Sequence, residues 1–237
     1  MDAWVYRSLD RLSGLLLPPR CVLCGAPGQR PCLDLCRACE TALPPARPAV
    51  LAGPAPLRAT IAAFDYGHPV DFLVHSLKYH GQLAMGRVLG SLLAGRVAPF
   101  ACAVDAIVPV PLHPTRHAGR GFNQSAEIAG RVARLVGRPL RPELARRIRD
   151  TRPQVGLEPA DRRANLAGAF VACRADGLRI AVVDDVTTTG TTLRLLAAAL
   201  SAAGACSVDA WCVARTSAPG IQRAGPVEPS PSAGRMR

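Results

Sequence analysis

The sequence predicts an α/β protein: a parallel sheet with helices packed on it, preceded by a small domain organised by cysteines. Three observations carry that prediction. Apolar runs rich in β-branched residues at 105–112 (DAIVPVPL), 178–186 (LRIAVVDDV) and 207–214 (SVDAWCVA) read as buried strands. Between them, FNQSAEIAGRVARLVG (122–137) and TTLRLLAAALSAAG (191–204) read as helices that stop at Gly137 and Gly204. Five of the nine cysteines fall between Cys21 and Cys39. Strands alternating with helices imply parallel pairing, and ligands of such sheets bind at the carboxyl ends of the strands.

Each segment follows from its residues. Trp4, Val5, Leu9, Leu12 and Leu16 recur at helical spacing, so residues 1–18 are expected to form a helix. Residues 19–44 contain the cysteine cluster. Residues 45–58 belong to a proline-rich passage with no period, LPPARPAVLAGPAPL, and are expected to be a linker. Residues 59–216 form the α/β domain, in which Phe122, Ala126, Ala129, Ala133 and Val136 mark the apolar stripe of the first helix. Residues 217–237 are polar and rich in proline and glycine, the composition of a disordered tail.

At 237 residues the chain can bury one good-sized core and a small satellite. It has 28 arginines and one lysine, a bias of GC-rich codons, so arginine abundance alone says little about function. The formal charge of +12 nonetheless gives a surface that attracts polyanions. Asp2 and Asp10 do not suit a secretion signal, and nothing approaches the ~20 apolar residues of a membrane span. The expected location is the cytoplasm, where thiols stay reduced and clustered cysteines usually bind metal.

CVLC and CRAC place Cys21, Cys24, Cys36 and Cys39 as two C-x2-C pairs separated by 11 residues. Two such pairs complete a tetrahedral thiolate site, and structural Zn²⁺ is the expected occupant. Cys32 leaves a C-x3-C pairing with Cys36 open. The regular pairs are preferred, with Cys32 a spectator; a redox dithiol is the other chemistry available. Cys102, Cys173, Cys206 and Cys212 are scattered and read as small apolar fillers.

The stretch IAVVDDVTTTGTT (180–192) places Asp184 and Asp185 at the end of a buried strand, before a turn into a helix. Thr187, Thr188, Thr189, Gly190, Thr191 and Thr192 surround that turn. Hydroxyls, unpaired backbone N–H groups and the helix dipole make a phosphate cradle. Two carboxylates beside it would repel the phosphate unless they face sugar hydroxyls or a divalent cation. A ligand with a phosphate at one end and ribose hydroxyls at the other fits both halves. No phosphate-binding G-x-x-x-x-G-K-[ST] and no G-x-G-x-x-G after a strand are present.

This stretch resembles, at all 13 positions, the phosphoribosyl pyrophosphate (PRPP) motif of type I phosphoribosyltransferases. The resemblance implies that Asp184 and Asp185 hold the ribose hydroxyls as the catalytic acidic pair, and that Thr187 to Thr192 hold the 5′-phosphate. The loop VPVPLHPTRHAGRGFNQSAEIA, with Arg116, Arg120, Asn123 and Gln124, typically lines the pyrophosphate side in that family. The aperiodic stretch at 149–170 has the length of a lid, and Arg152, Gln154, Arg162 and Asn165 could close over an anionic ligand.

Taken with the paired C-x2-C segment, RGFNQ, TRPQVGL and RRANLAGAF, the chain resembles the ComF (competence protein F) family over roughly residues 15–215. The resemblance implies a zinc ribbon ahead of a type I phosphoribosyltransferase-like domain, and an association with DNA uptake in natural transformation. It also implies PRPP with Mg²⁺ as ligand and transfer of the phosphoribosyl group to an acceptor with loss of pyrophosphate. The family shows a Lys-Tyr like that at Lys78, the sole lysine. A hood for the acceptor is expected from the zinc ribbon or residues 64–93. The other reading is a non-enzymatic protein that senses a nucleotide and contacts single-stranded DNA or competence proteins, although aromatic residues, at 4%, offer few stacking platforms.

Overall fold

The computed structural model describes residues 20–29, 34–47, 50–53, 55–149 and 168–216. In chain order these form α1 (Arg37–Thr41), β1 (Val50–Ala52), β2 (Leu57–Asp65), α2 (Val70–His80), α3 (Leu83–Val97), β3 (Ala106–Pro109), α4 (Pro114–Arg120), α5 (Gln124–Val136), β4 (Ala145–Arg147), β5 (Phe170–Ala172), β6 (Arg179–Thr187), α6 (Thr191–Ala202) and β7 (Ser207–Arg215). The expected helix at 1–18, Cys32, the lid residues Arg152, Gln154, Arg162 and Asn165, and the expected tail at 217–237 lie outside the described residues.

The three apolar runs become β3, β6 and β7 of one sheet, in the order β1-β2-β7-β6-β3. β2–β7, β7–β6 and β6–β3 pair in parallel, so α/β alternation holds as the sequence predicts. Only β1, at the edge, runs antiparallel. β6 is buried on both faces because its side chains alternate between two cores. Ala181 and Val183 point into the core beneath α2, α3 and α5, whereas Ile180 and Val182 point into the core beneath α6 and the β4–β5 ribbon. Asp209, buried within β7, is neutralised by the Arg58 guanidinium from β2, which bonds both carboxylate oxygens.

Three readings change. The stretch expected to be a linker, 45–58, carries β1 and the start of β2 and is a sheet edge: Val50 pairs with Ile61, and the Ala46 N–H donates to the Ala63 carbonyl at 3.1 Å. All three β1 residues are exposed, so no alternation marks the strand in the sequence. The buried stripe of α5 is centred on Ile128, Ala129, Val132 and Ala133; Ala126 and Val136 lie only partly buried and Phe122 precedes the helix. Alanines on several faces of that helix blur its phase. Of the four scattered cysteines only Cys212 is a buried filler, since Cys102, Cys173 and Cys206 are exposed. A further difference lies in the loop after β3, which contains the seven-residue helix α4.

The cysteine segment is not a satellite with its own core. Cys21, Leu35, Cys36 and Leu43 join the core shared by α2, α3, α5 and the sheet, and Asp34 pairs with Arg87 of α3 at 3.1 Å. Helix α3 in turn crosses α5 closely at Gly86 and Gly90. A Cβ on Gly90 would lie 2.6 Å from Arg131 Cβ and 2.9 Å from the Ile128 carbonyl oxygen, distances that force the helices apart. Gly90→Ala is therefore expected to destabilise the protein by about 1–3 kcal/mol in urea unfolding. An unchanged midpoint would show that the crossing yields without cost.

Candidate functional site

The site is built where β6 ends. Its last residues are buried in a sheet centre, so the carboxylates there must be satisfied locally. Asp184 Oδ1 accepts the Asp185 N–H at 3.0 Å and the Ser125 hydroxyl of α5 at 2.9 Å. Asp185 Oδ1 accepts the Val186 N–H at 2.7 Å, and its Oδ2 meets Lys78 Nζ of α2 at 2.6 Å. The two carboxylic residues are only 8% and 3% exposed. Burial, then the charge of Asp185, pushes the Asp184 carboxyl up to about 7, against the pull of Lys78 and the Ser125 hydroxyl. Burial also opposes the charge on Lys78, but the Asp185 carboxylate outweighs it and holds the ammonium above its usual range.

Beyond the pair, the chain turns through Thr188 and Thr189 to Gly190, whose φ of +70° suits glycine, and enters α6. The turn encloses a polar cradle of about 30 Å³ lined by Asp184, Thr187, Thr188, Thr189, Gly190, Thr191 and Thr192. Thr189 and Thr191 share a hydroxyl hydrogen bond of 2.8 Å. The first N–H groups of a 12-residue helix open on this cradle, with the positive end of its dipole.

Arg120, at the end of α4, and Gln124, at the start of α5, stand together, Arg120 Nη1 donating to Gln124 Oε1 at 2.6 Å. The Arg120 guanidinium lies 5.7 Å from the centroid of the Tyr79 ring. Tyr79 is 62% exposed and packs on His75, with ring centroids 4.6 Å apart; Phe72 is exposed one turn earlier. Asn123 fixes this corner, capping α5 by accepting the Ser125 N–H and donating to the Val110 carbonyl, each at 3.0 Å.

Thus Asp184, Asp185, Thr187 to Thr192 and Lys78 converge at one strand end, while Arg120 and Gln124 are tied to the same helix, α2, through Tyr79. The described residues do not include Arg152, Gln154 or Arg162. Ser125, Phe72 and His75 carry no signal of their own in the sequence, whereas Tyr79 belongs to the Lys-Tyr pair and the whole row to the 64–93 segment. Ser125 follows the quoted RGFNQ without a spacing that marks it, and the aromatic row lies on the exposed face of α2, where His75 breaks any apolar stripe.

The four cysteines of the paired motif also converge. Their Sγ atoms lie within 4.8 Å of one another, with Cys24 and Cys36 at 3.6 Å. Bonds of about 2.3 Å in a tetrahedron place sulfurs about 3.8 Å apart, so this cluster fits a zinc ion. Burial disfavours the Cys21 thiolate, but backbone N–H groups, those of Cys36 and Leu23 foremost, outweigh it and lower the thiol to about 6. Burial and the neighbouring sulfurs push Cys39 the opposite way.

No protein-family model matches the chain. The DNA utilization protein YhgH of Salmonella typhimurium is 32% identical over 225 residues, spanning 85% of this chain and 99% of that protein. The protein of the same name from Escherichia coli K12 is 34% identical over 169 residues, spanning 69% and 74%. Competence protein F of Haemophilus influenzae is 33% identical over 159 residues, spanning 63% and 69%. Among solved structures, a purine phosphoribosyltransferase from Pyrococcus horikoshii superposes with a TM-score of 0.35 at 18% identity, covering 55% of this chain and 74% of that one. The UMP synthase of Leishmania donovani gives a TM-score of 0.31 at 15% identity, covering 70% and 28%.

Proposed function

The chain belongs to the family of competence protein F and the DNA utilization protein YhgH, and from that premise we propose that it binds PRPP at the carboxyl end of β6. The observation that carries this reading is the meeting of a buried acidic pair with a threonine and glycine cradle at a helix N-terminus. The cradle takes the 5′-phosphate, and Asp184 and Asp185 take the ribose 2′ and 3′ hydroxyls. Arg120, Gln124 and Lys78 stand on the side of the pyrophosphate; Arg152, Gln154 and Arg162, assigned to the same ligand, lie outside the described residues. Carboxylate oxygens suit Mg²⁺, a hard cation, which arrives with the ligand and neutralises its oxyanions.

Transfer of the phosphoribosyl group follows from the same arrangement. Departure of pyrophosphate leaves positive charge on the ribose ring, which the acidic pair stabilises, while the basic groups stabilise the leaving oxyanions. The acceptor then lies against α2, where Phe72, His75 and Tyr79 form an exposed row beside Lys78. Zn²⁺ on Cys21, Cys24, Cys36 and Cys39 is structural and fastens the N-terminal segment to the core. Among the described residues no helix is long and apolar enough to cross a membrane, and cysteines held reduced for metal agree with the cytoplasm.

Calorimetric titration of PRPP with Mg²⁺ into the zinc-loaded protein tests the reading. Binding is expected in the wild type and is expected to disappear in the Asp184→Asn/Asp185→Asn double variant. Pyrophosphate release with an acceptor then establishes turnover. A folded wild type that ignores PRPP would refute it. In that event the charge of +12 and the relatives' association with DNA favour a second reading, a competence accessory that binds single-stranded DNA. Its mark would be steep salt dependence of DNA binding that the double variant leaves unchanged.

A further inference from the structure

The chain's single lysine, among 28 arginines, is the residue that enters the acidic pair. It is delivered by α2, in the last turn, whereas its partner belongs to β6. The contact is well sheltered, with side-chain exposures of 22% for Lys78 and 5% for Asp185. Its chemistry explains why arginine does not serve. A guanidinium fork prefers both oxygens of a carboxylate, but Asp185 Oδ1 is already occupied by the Val186 N–H, and Asp184 Oδ1 by Ser125 and the Asp185 N–H. On Asp185 that leaves one oxygen, Oδ2, and a compact ammonium fits it.

That oxygen, Oδ2 of Asp185, is also where a sugar hydroxyl or a divalent cation would bind if the pair serves the ligand proposed above. The ammonium and the ligand therefore compete for one atom. We propose that Lys78 is a positioning residue that acts as resident counter-ion: it holds Asp185 while the site is empty and moves onto the ligand's anionic oxygens once hydroxyls or a cation take Asp185. The inference rests on the phosphoribosyl reading and adds an order to it. A divalent cation alone gives the ammonium nowhere to go and binds weakly, whereas an anionic ligand with the cation accepts it and binds well.

The test compares wild type with Lys78→Met and Lys78→Arg, all zinc-loaded, using Mn²⁺ alone (by its paramagnetic relaxation) and PRPP with Mg²⁺ (by calorimetry). In Lys78→Met, affinity for Mn²⁺ alone is expected to rise about tenfold and affinity for PRPP to fall about tenfold, a usual size for coupled sites. Lys78→Arg keeps the charge and is expected to keep Mn²⁺ weak. Should either variant fail to fold, the wild type suffices: reductive ¹³C-methylation of the sole lysine gives one side-chain signal, expected to shift with PRPP and Mg²⁺ together and to stay put with Mg²⁺ alone. Mn²⁺ binding no tighter in Lys78→Met, or a methyl signal unmoved while calorimetry records PRPP binding, overturns the proposal. A wild type that ignores PRPP while Lys78→Met gains Mn²⁺ overturns the phosphoribosyl reading instead and leaves the counter-ion role standing.

Discussion

Removing zinc, by a chelator or by Cys36→Ser, is expected to lower the urea midpoint of the whole protein and not of the N-terminal segment alone. Structural zinc in isolated peptides contributes on the order of 10 kcal/mol of folding free energy, an upper bound here because the segment also packs on the sheet domain. The packing is what spreads the loss: Cys21, Leu35, Cys36 and Leu43 are buried in the core that α2 and α3 share with the sheet. Without the metal, Cys21 and Cys36 lose the ligation that ties the segment into that core, and the four sulfurs within 4.8 Å lose the cation their thiolates would share. Metal analysis of the purified protein should give a single zinc equivalent, retained in Cys32→Ser and lost in Cys36→Ser. Zinc lost in Cys32→Ser would favour the C-x3-C pairing, and an unchanged midpoint after chelation would refute the structural role.

Asp184→Asn is expected to stabilise the protein at pH 8 and to do so only about a third as much at pH 5. The folded protein holds this carboxyl near pH 7, where an unfolded chain releases its proton near pH 4. Between those values the folded state binds the extra proton, so stability falls as pH rises from about 4 to about 7 and is level above. The full effect is at most about 4 kcal/mol, at 1.36 kcal/mol for each pH unit. Asparagine keeps an Oδ1 acceptor for Ser125 and the Asp185 N–H, so the loss of charge is isolated from the loss of hydrogen bonds. Urea unfolding of both proteins at the two pH values measures it; parallel pH dependence in the two would sink the argument. The same substitution is expected to weaken PRPP, the trade expected where a site is kept for function and not for stability.

The legible parts of the fold are those in which one period dominates. β3, β6 and β7 are buried on both faces and appear as mostly apolar runs, and Gly137 and Gly204 mark helix ends by their left-handed backbone. The acidic pair and its cradle are contiguous in sequence, so their proximity needed no tertiary knowledge. Residues 57–97 were harder. β2 alternates imperfectly, and α3 buries Met85, Val88, Leu89, Leu93 and Val97 together with small residues on other faces, leaving no clean stripe. Ser125 meets Asp184 across 59 positions of chain, and Lys78 reaches Asp185 from a helix separated from β6 by three strands in sequence. Such pairs depend on sheet order, which a linear pattern does not encode.

The proline-bracketed edge strand has a consequence for how the molecule behaves in concentrated solution. An open sheet ends in a row of backbone donors and acceptors that can recruit a strand from another copy. Here the terminal strand, Val50–Ala52, is three residues long and lies between Pro44–Pro45 and Pro56, which cannot extend the ladder with an N–H. With Val50 and Leu51 exposed on it, a longer strand would offer a sticky apolar margin. A three-residue strand flanked by residues that lack an N–H is a poor template for such pairing.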